Sequence, residues 1–251
     1  MKRAMFGRTT TALLACIASA ACSPPAAPEA DKAQSPAAAA GWTRPPMIRS
    51  VQRTTDGLIF SGEAEPGARV VLRSESGPAH AAAADADGRF EIRMTSPAGD
   101  LLLRPETQVG QDAAPSPDRL LIIAGGRGPV AVLRAGGATR RLDAAPALGA
   151  VDSDGRMRLV SGEGAPGSAP IELQAGGETG QVTPDAAGRW SLVLPPAAGP
   201  DAIRVGGRDF VWPGDGPDGA AFSVERAGTG WRVNWSGPAG GRQSTWLPDP
   251  A

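Results

Sequence analysis

Ser61-Gly62-Glu63-Ala64-Glu65-Pro66-Gly67 recurs one hundred residues later as Ser161-Gly162-Glu163-Gly164-Ala165-Pro166-Gly167. In the same register, Asp85-Ala86-Asp87-Gly88-Arg89 recurs as Asp185-Ala186-Ala187-Gly188-Arg189. Two separated matches at one offset point to a duplicated unit. Pro66-Gly67 and Pro166-Gly167 suit the central positions of a type II turn, where proline fixes φ and glycine accepts a positive φ. Asp87-Gly88 suits a hairpin turn. Directly after it, Phe90, Ile92 and Met94 alternate with Arg89, Glu91 and Arg93, and Trp190, Leu192 and Leu194 repeat the pattern. That period belongs to a strand with one buried and one wet face.

Working outward, each unit is followed by further strand candidates: 120–124, 130–134 and 139–142 in the first half, and 221–226, 231–235 and 243–247 in the second. Glycine (34) and proline (25) are abundant, so many short strands joined by turns are expected rather than long helices. The fold class expected is all-β: two tandem immunoglobulin-like β-sandwiches, repeat 1 over 46–146 and repeat 2 over 147–251, with the border near 144–148. Each half is close to the ~100 residues of a seven-strand sandwich. In the second copy Pro170 enters what should be a strand, which suggests an edge position or a bulge.

The repeated pattern, Ser-Gly-Glu-x-x-Pro-Gly followed by Asp-Ala-(Asp/Ala)-Gly-Arg-(Phe/Trp), resembles that of bacterial immunoglobulin-like domains. It is also similar to the carboxypeptidase regulatory-like domain, another small β-sandwich. The resemblance covers about 40 residues per copy and consists mostly of turn chemistry, which speaks to fold far more than to function. It implies a spacer, scaffold or binding module.

At the other end of the chain, Lys2, Arg3 and Arg8 precede an uncharged run from Thr9 to Ala21 that ends in small residues before Cys22. A basic start, a short apolar run and small residues at the exit describe a secretory signal, here 1–21. Ser19-Ala20-Ala21-Cys22 resembles the lipobox of bacterial lipoproteins, whose cysteine is lipidated and becomes the mature N-terminus. Family members usually carry Leu, Val or Ile where Ser19 stands. Leu13-Leu14-Ala15-Cys16 fits that position better but leaves an apolar run of only a few residues, so Cys22 is favoured over Cys16. Residues 22–45 then read as a lipidated N-terminus and a Pro/Ala-rich tether, too poor in large apolar groups to offset its ordering entropy. The resemblance implies a membrane-attached protein of the bacterial cell envelope. Serine after the cysteine implies the outer membrane, facing the periplasm.

Composition narrows the chemistry. The balance of 25 basic and 26 acidic residues gives a net charge of −1, which offers no general field for nucleic acid, and no cofactor is expected. Both cysteines lie at or before the expected cleavage site, so the folded part has no disulfide or cysteine metal site to rely on. Tyrosine is absent, the lysines are Lys2 and Lys32, and His80 is the single histidine. A lysine Schiff base or Ser-Lys dyad is excluded from the folded part, and any Ser-His-Asp triad must use His80, near which no nucleophile elbow is recognisable. Glu63 and Glu163 could serve a carboxylate-only glycosidase, but their repetition suggests structural pairing with a nearby arginine. Asp85 and Asp87 could offer oxygens to calcium, yet Ala187 replaces the second of them and two carboxylates fall short of a ligand set, so no metal is expected.

Trp231 and Trp235 flank Val233 on one face of a strand candidate, with Trp246 further along. Exposed, such a row would make a sugar-binding platform; inward, it fills a core. The expectation is therefore a non-catalytic, lipid-anchored scaffold, spacer or interaction module, not an enzyme. Its partners would be the membrane through the anchor, with an envelope protein or cell-wall glycan as further candidates. The alternative is a carbohydrate- or peptidoglycan-binding module using Trp231, Trp235 and Trp246.

Overall fold

Alternation in the sequence becomes alternation in burial: Phe90, Ile92 and Met94 are buried while Arg89, Glu91 and Arg93 face solvent. The computed structural model describes residues 43–75, 77–216, 221–238 and 240–250. Among them the fold is all-β, with antiparallel sheets and no α-helix.

In the first half the strands are β1 (Met47–Arg53), β2 (Gly57–Glu63), β3 (Arg69–Arg73), β4 (Ala79–Ala83), β5 (Arg89–Thr95), β6 (Leu101–Val109), β7 (Asp112–Pro115), β8 (Arg119–Ile122), β9 (Val130–Leu133) and β10 (Arg140–Arg141). The second half contains β11 (Ala150–Ser153), β12 (Arg158–Glu163), β13 (Ile171–Ala175), β14 (Glu178–Val182), β15 (Arg189–Leu194), β16 (Asp201–Val205), β17 (Arg208–Trp212), β18 (Phe222–Arg226), β19 (Gly230–Ser236) and β20 (Arg242–Pro248).

Each half is a β-sandwich, and the two share a plan. One sheet holds β1-β2-β5 in the first half and β11-β12-β15 in the second; the other holds β4-β3-β6 with β7 and β8, and β14-β13-β16-β17. Phe60, Phe90 and Ile92 meet Val70, Leu72 and Leu103 across the first sandwich. Val160, Trp190 and Leu194 meet Leu173, Ile203 and Trp212 across the second.

The duplicated turns are the corners where the chain changes sheet. Pro66-Gly67 leads from β2 to β3, the Ala68 N–H donating to the Glu65 carbonyl at 3.0 Å with Gly67 at φ +73, as a type II turn requires. The Asp85–Gly88 turn is not the expected hairpin: β4 pairs with β3, β5 pairs with β2, and the turn carries the chain from one sheet to the other. Turn chemistry fixes a local reversal but not the sheet that receives the next strand. The two corners also bind each other, since the Ala64 N–H donates to the Gly88 carbonyl at 2.8 Å and the Gly164 N–H to that of Gly188 at 2.7 Å. Their sequence recurs because both partners must keep their shape.

Pro170 is neither at an edge strand nor in a bulge. It lies just before β13, a strand paired on both sides, and the ladder opens at Ile171 because proline has no N–H to give.

The later strands of the two halves are not equivalent. β8, β9 and β10 extend the β6 sheet of the first sandwich, whereas β18, β19 and β20 extend the β11 sheet of the second. This places their faces against each other. Leu120, Ile122, Val130 and Val132 enter the first core, while Leu121, Ile123, Ala131 and Leu133 turn the opposite way. There they meet Ala150, Val233, Trp235 and Leu247 in a third core shared by both halves.

Candidate functional site

The chain passes from one sandwich to the other through Thr139-Arg140-Arg141-Leu142-Asp143, and this segment is pinned from several directions. Arg141 is buried and forks onto Asp143, with Nε and Nη2 at 2.8 and 2.7 Å from the two carboxylate oxygens. Its Nη1 donates to the Pro248 carbonyl at 3.1 Å, and Asp143 also accepts the Val130 N–H at 3.2 Å. Leu142 packs on the first core and Leu148 enters the second.

Beside it lies a buried polar cluster. The Asp152 carboxylate accepts the Thr139 N–H and hydroxyl and the Thr245 hydroxyl, while Thr245 Oγ1 in turn accepts Trp235 Nε1 at 3.2 Å. The Ser161 hydroxyl closes the group on the Thr139 carbonyl at 3.2 Å. Burial lifts the Asp152 pKa to about 6, against the lowering effect of its three hydrogen bonds.

Above this segment opens a groove of about 870 Å³, walled by β1, β10, β12 and β15. Arg140 reaches across it, Nη1 donating to the Arg49 carbonyl at 3.0 Å and Nη2 to that of Ile48. The edge strand β1 is thereby capped, because two of its carbonyls are taken. Burial pushes the Arg140 pKa below the usual guanidinium range; nearby Glu163 opposes this, and the positive charges of Arg49, Arg189 and Arg134 reinforce it. Arg49 pairs with Glu63 at 2.8 Å, Arg189 with Asp185 at 2.8 Å, and Arg134 stands 3.6 Å from Asp118. A groove of this volume and mixed lining suits a small ligand.

The residues singled out in the sequence fall elsewhere. Cys22, like Cys16, lies outside the described residues. Trp235 and Trp246 are each 1 % exposed and belong to different cores, the third and the second. Trp246 Nε1 donates to the Ala227 carbonyl at 2.9 Å, and both rings are held as packing. Trp231 shares a face with Val233 and Trp235, but that face is the core between the halves, and the Arg226 guanidinium covers its ring at 4.7 Å. The three tryptophans therefore do not form an open row.

His80 is half-buried in β4, opposite Leu72. Glu63 pairs with Arg49, whose bond lowers the Glu63 pKa, and both Glu63 and Glu163 face an arginine across the ladder, Arg89 and Arg189. Asp85 is occupied by the N–H groups of Asp87 and Arg89 at 2.9 and 2.8 Å, and Asp185 by those of Ala187 and Arg189 at 2.8 and 2.9 Å. The retained aspartate is thus the one that shapes the corner. Among the described residues no group of three or more His, Cys, Asp or Glu is placed to hold a metal ion.

The sequence pattern placed 139–142 and Trp190 in strands but gave no site role to Thr139, Arg140, Arg141, Asp152 or Trp190. A signal was present: two adjacent arginines and an aspartate within five residues, directly before the Ala-Ala-Pro-Ala stretch at 144–147. In comparisons with known proteins, no family model and no curated protein matches this chain.

Proposed function

We propose that the protein is a lipid-anchored, non-catalytic interaction module of the bacterial cell envelope, tethered to the outer membrane on its periplasmic side. The observation that carries the module reading is the locked junction. A third apolar core and the buried cluster around Asp152 join the two sandwiches, so that the groove between them keeps one shape without a bound partner. A preformed site loses less entropy on binding than one that must be assembled. The anchor rests on the signal-like run before Cys22 and on the resemblance of 19–22 to a lipobox. Several acyl chains would make such attachment effectively permanent.

Mass spectrometry of the mature N-terminus recovered from membranes, with neighbours cross-linked in the same preparation, tests this reading. The expected product begins at Cys22 with acyl mass and carries cross-links through residues of the groove. A freely soluble product, beginning elsewhere and without acyl mass, overturns the placement. Cross-links that avoid the groove overturn the module.

A further inference from the structure

Positive charge exceeds negative in the junction groove, although the whole chain is nearly neutral. Arg49, Arg134, Arg140, Arg141 and Arg189 line it together with three carboxylates, those of Asp118, Glu163 and Asp185, Arg141 being already paired with Asp143. Asp185 is already occupied by two backbone N–H groups and by Arg189. Arg140 is the least compensated of the cations. Its guanidinium donates to two carbonyls, and among the described residues no carboxylate oxygen lies within ion-pair distance of it. Burial and the positive charges of Arg49, Arg189 and Arg134 outweigh the attraction of Glu163 at this guanidinium, so a further anion in the groove would be favoured there.

A second observation comes from comparing the copies. Gly62 lies under the ring of Phe90, and Gly162 lies in the same way under the ring of Trp190. The first copy thus fills the position with a ring that has no polar atom. The second uses indole, and the buried Trp190 Nε1 has no hydrogen-bond partner among the described residues. Trp190 forms part of the groove wall. A buried donor left unmet is costly, and the packing did not require one, since Phe90 serves the equivalent place.

We propose that this groove binds a phosphate group, held by Arg140 with Arg134 and Arg189, with Trp190 in the wall beside them. The guanidinium groups come from separate segments: the residue just after β9, β10 and β15. That arrangement suits a compact, multiply charged anion whose oxygens point several ways better than a planar, singly charged carboxylate. The proposal does not depend on the lipid anchor, because every residue in it belongs to the folded part. The phosphate can be a monoester on a soluble ligand or on a lipid headgroup.

Calorimetric titration of the full chain with inorganic phosphate, and with acetate at matched ionic strength, tests it. Saturable binding of phosphate but not acetate is expected. Arg134→Gln and Arg189→Gln should each weaken it about tenfold while leaving the far-ultraviolet spectrum and thermal midpoint without phosphate nearly unchanged. Trp190→Phe, which reproduces the first copy, should fold normally and also bind more weakly. Absence of saturable heat, equal response to acetate, or phosphate affinity untouched by both arginine variants overturns the proposal. In a parallel arm with vesicles containing phosphatidate, whose headgroup is a phosphomonoester, groove-dependent binding assigns the phosphate to a lipid headgroup. Binding of free phosphate without vesicle binding assigns it to a soluble ligand.

Discussion

Asp152 Oδ2 accepts the backbone N–H of Thr139 at 2.8 Å while Oδ1 accepts the Thr139 hydroxyl at 2.6 Å, so a single buried carboxylate ties β11 to the segment entering β10. Oδ1 also takes the Thr245 hydroxyl at 2.7 Å from β20. With its pKa raised to about 6 from 3.8, the folded protein binds this proton more tightly than the unfolded chain. The resulting stabilisation is complete below the unfolded value and disappears as pH rises through about 6. Asp85, Asp154, Asp185 and Glu63 are shifted downward and act the opposite way, but in more acid solution. Unfolding in urea should therefore show a gain of about 1 kcal/mol on going from about pH 7.5 to about pH 5. Asp118, also raised by burial, acts in the same sense, so Asp152→Asn should reduce that slope rather than abolish it, and an unchanged slope would remove the buried carboxylate from the account.

Gly162 is required for space rather than for backbone freedom. A Cβ there would lie 2.2 Å from the Ala147 carbonyl oxygen and 2.6 Å from the Trp190 ring, and Gly62 has the same clash with Met47 and Phe90. Gly67 is the contrasting case, with φ +73 and nothing within 4 Å of its missing Cβ. Gly67→Ala should cost about 1–2 kcal/mol of conformational strain. Gly162→Ala should cost more, about 3 kcal/mol, because it must displace both the Ala147 backbone and a core ring. Chemical denaturation of the two variants gives the order directly.

Much of the fold was legible because the duplicated residues carry local rules. The positive φ of Gly67, the side-chain bonds of Asp85 and the alternation from Arg89 to Met94 each depend on near neighbours, so each could be read from a few residues. The sheet that receives a strand after a turn depends on partners far away, which is why the Asp85–Gly88 turn looked like a hairpin. The third core had a readable trace in Leu120-Leu121-Ile122-Ile123, an unbroken apolar run typical of a strand buried on both faces. Its occupants could not be foreseen, since the Trp231, Val233 and Trp235 stripe looks the same facing solvent or a neighbouring sheet. The groove was hidden for a further reason: its arginines come from separate segments whose proximity is created only by the junction.

Trp235 sits at the centre of the core shared by the two halves, and its loss should separate them. Trp235→Ala removes a ring that is 1 % exposed and leaves Thr245 without its indole donor. A cost of about 3–5 kcal/mol is expected for such a deletion. The first and second cores are not lined by this ring, so the damage should fall on the coupling between sandwiches. Urea transitions followed by circular dichroism and by fluorescence should coincide in the parent chain and diverge in the variant. Coincident transitions in the variant would mean that the halves are coupled by other contacts.

Arg158 is a buried cation within the second sandwich, its side chain 2 % exposed, with Nη1 at 2.7 Å from Asp201 and Nε donating to the Pro195 carbonyl at 2.9 Å. Its guanidinium also covers the Trp212 ring at 4.8 Å. Removing the anion while leaving the cation should be the costly change, so Asp201→Ala is expected to destabilise by about 3–5 kcal/mol. Replacing the cation as well, with the apolar and similarly long methionine, removes the uncompensated charge and keeps contact with Trp212. The double variant Arg158→Met, Asp201→Ala should therefore be more stable than Asp201→Ala alone. Calorimetric midpoints decide this: a double variant less stable than the single one would show that Arg158 contributes packing that no uncharged chain replaces.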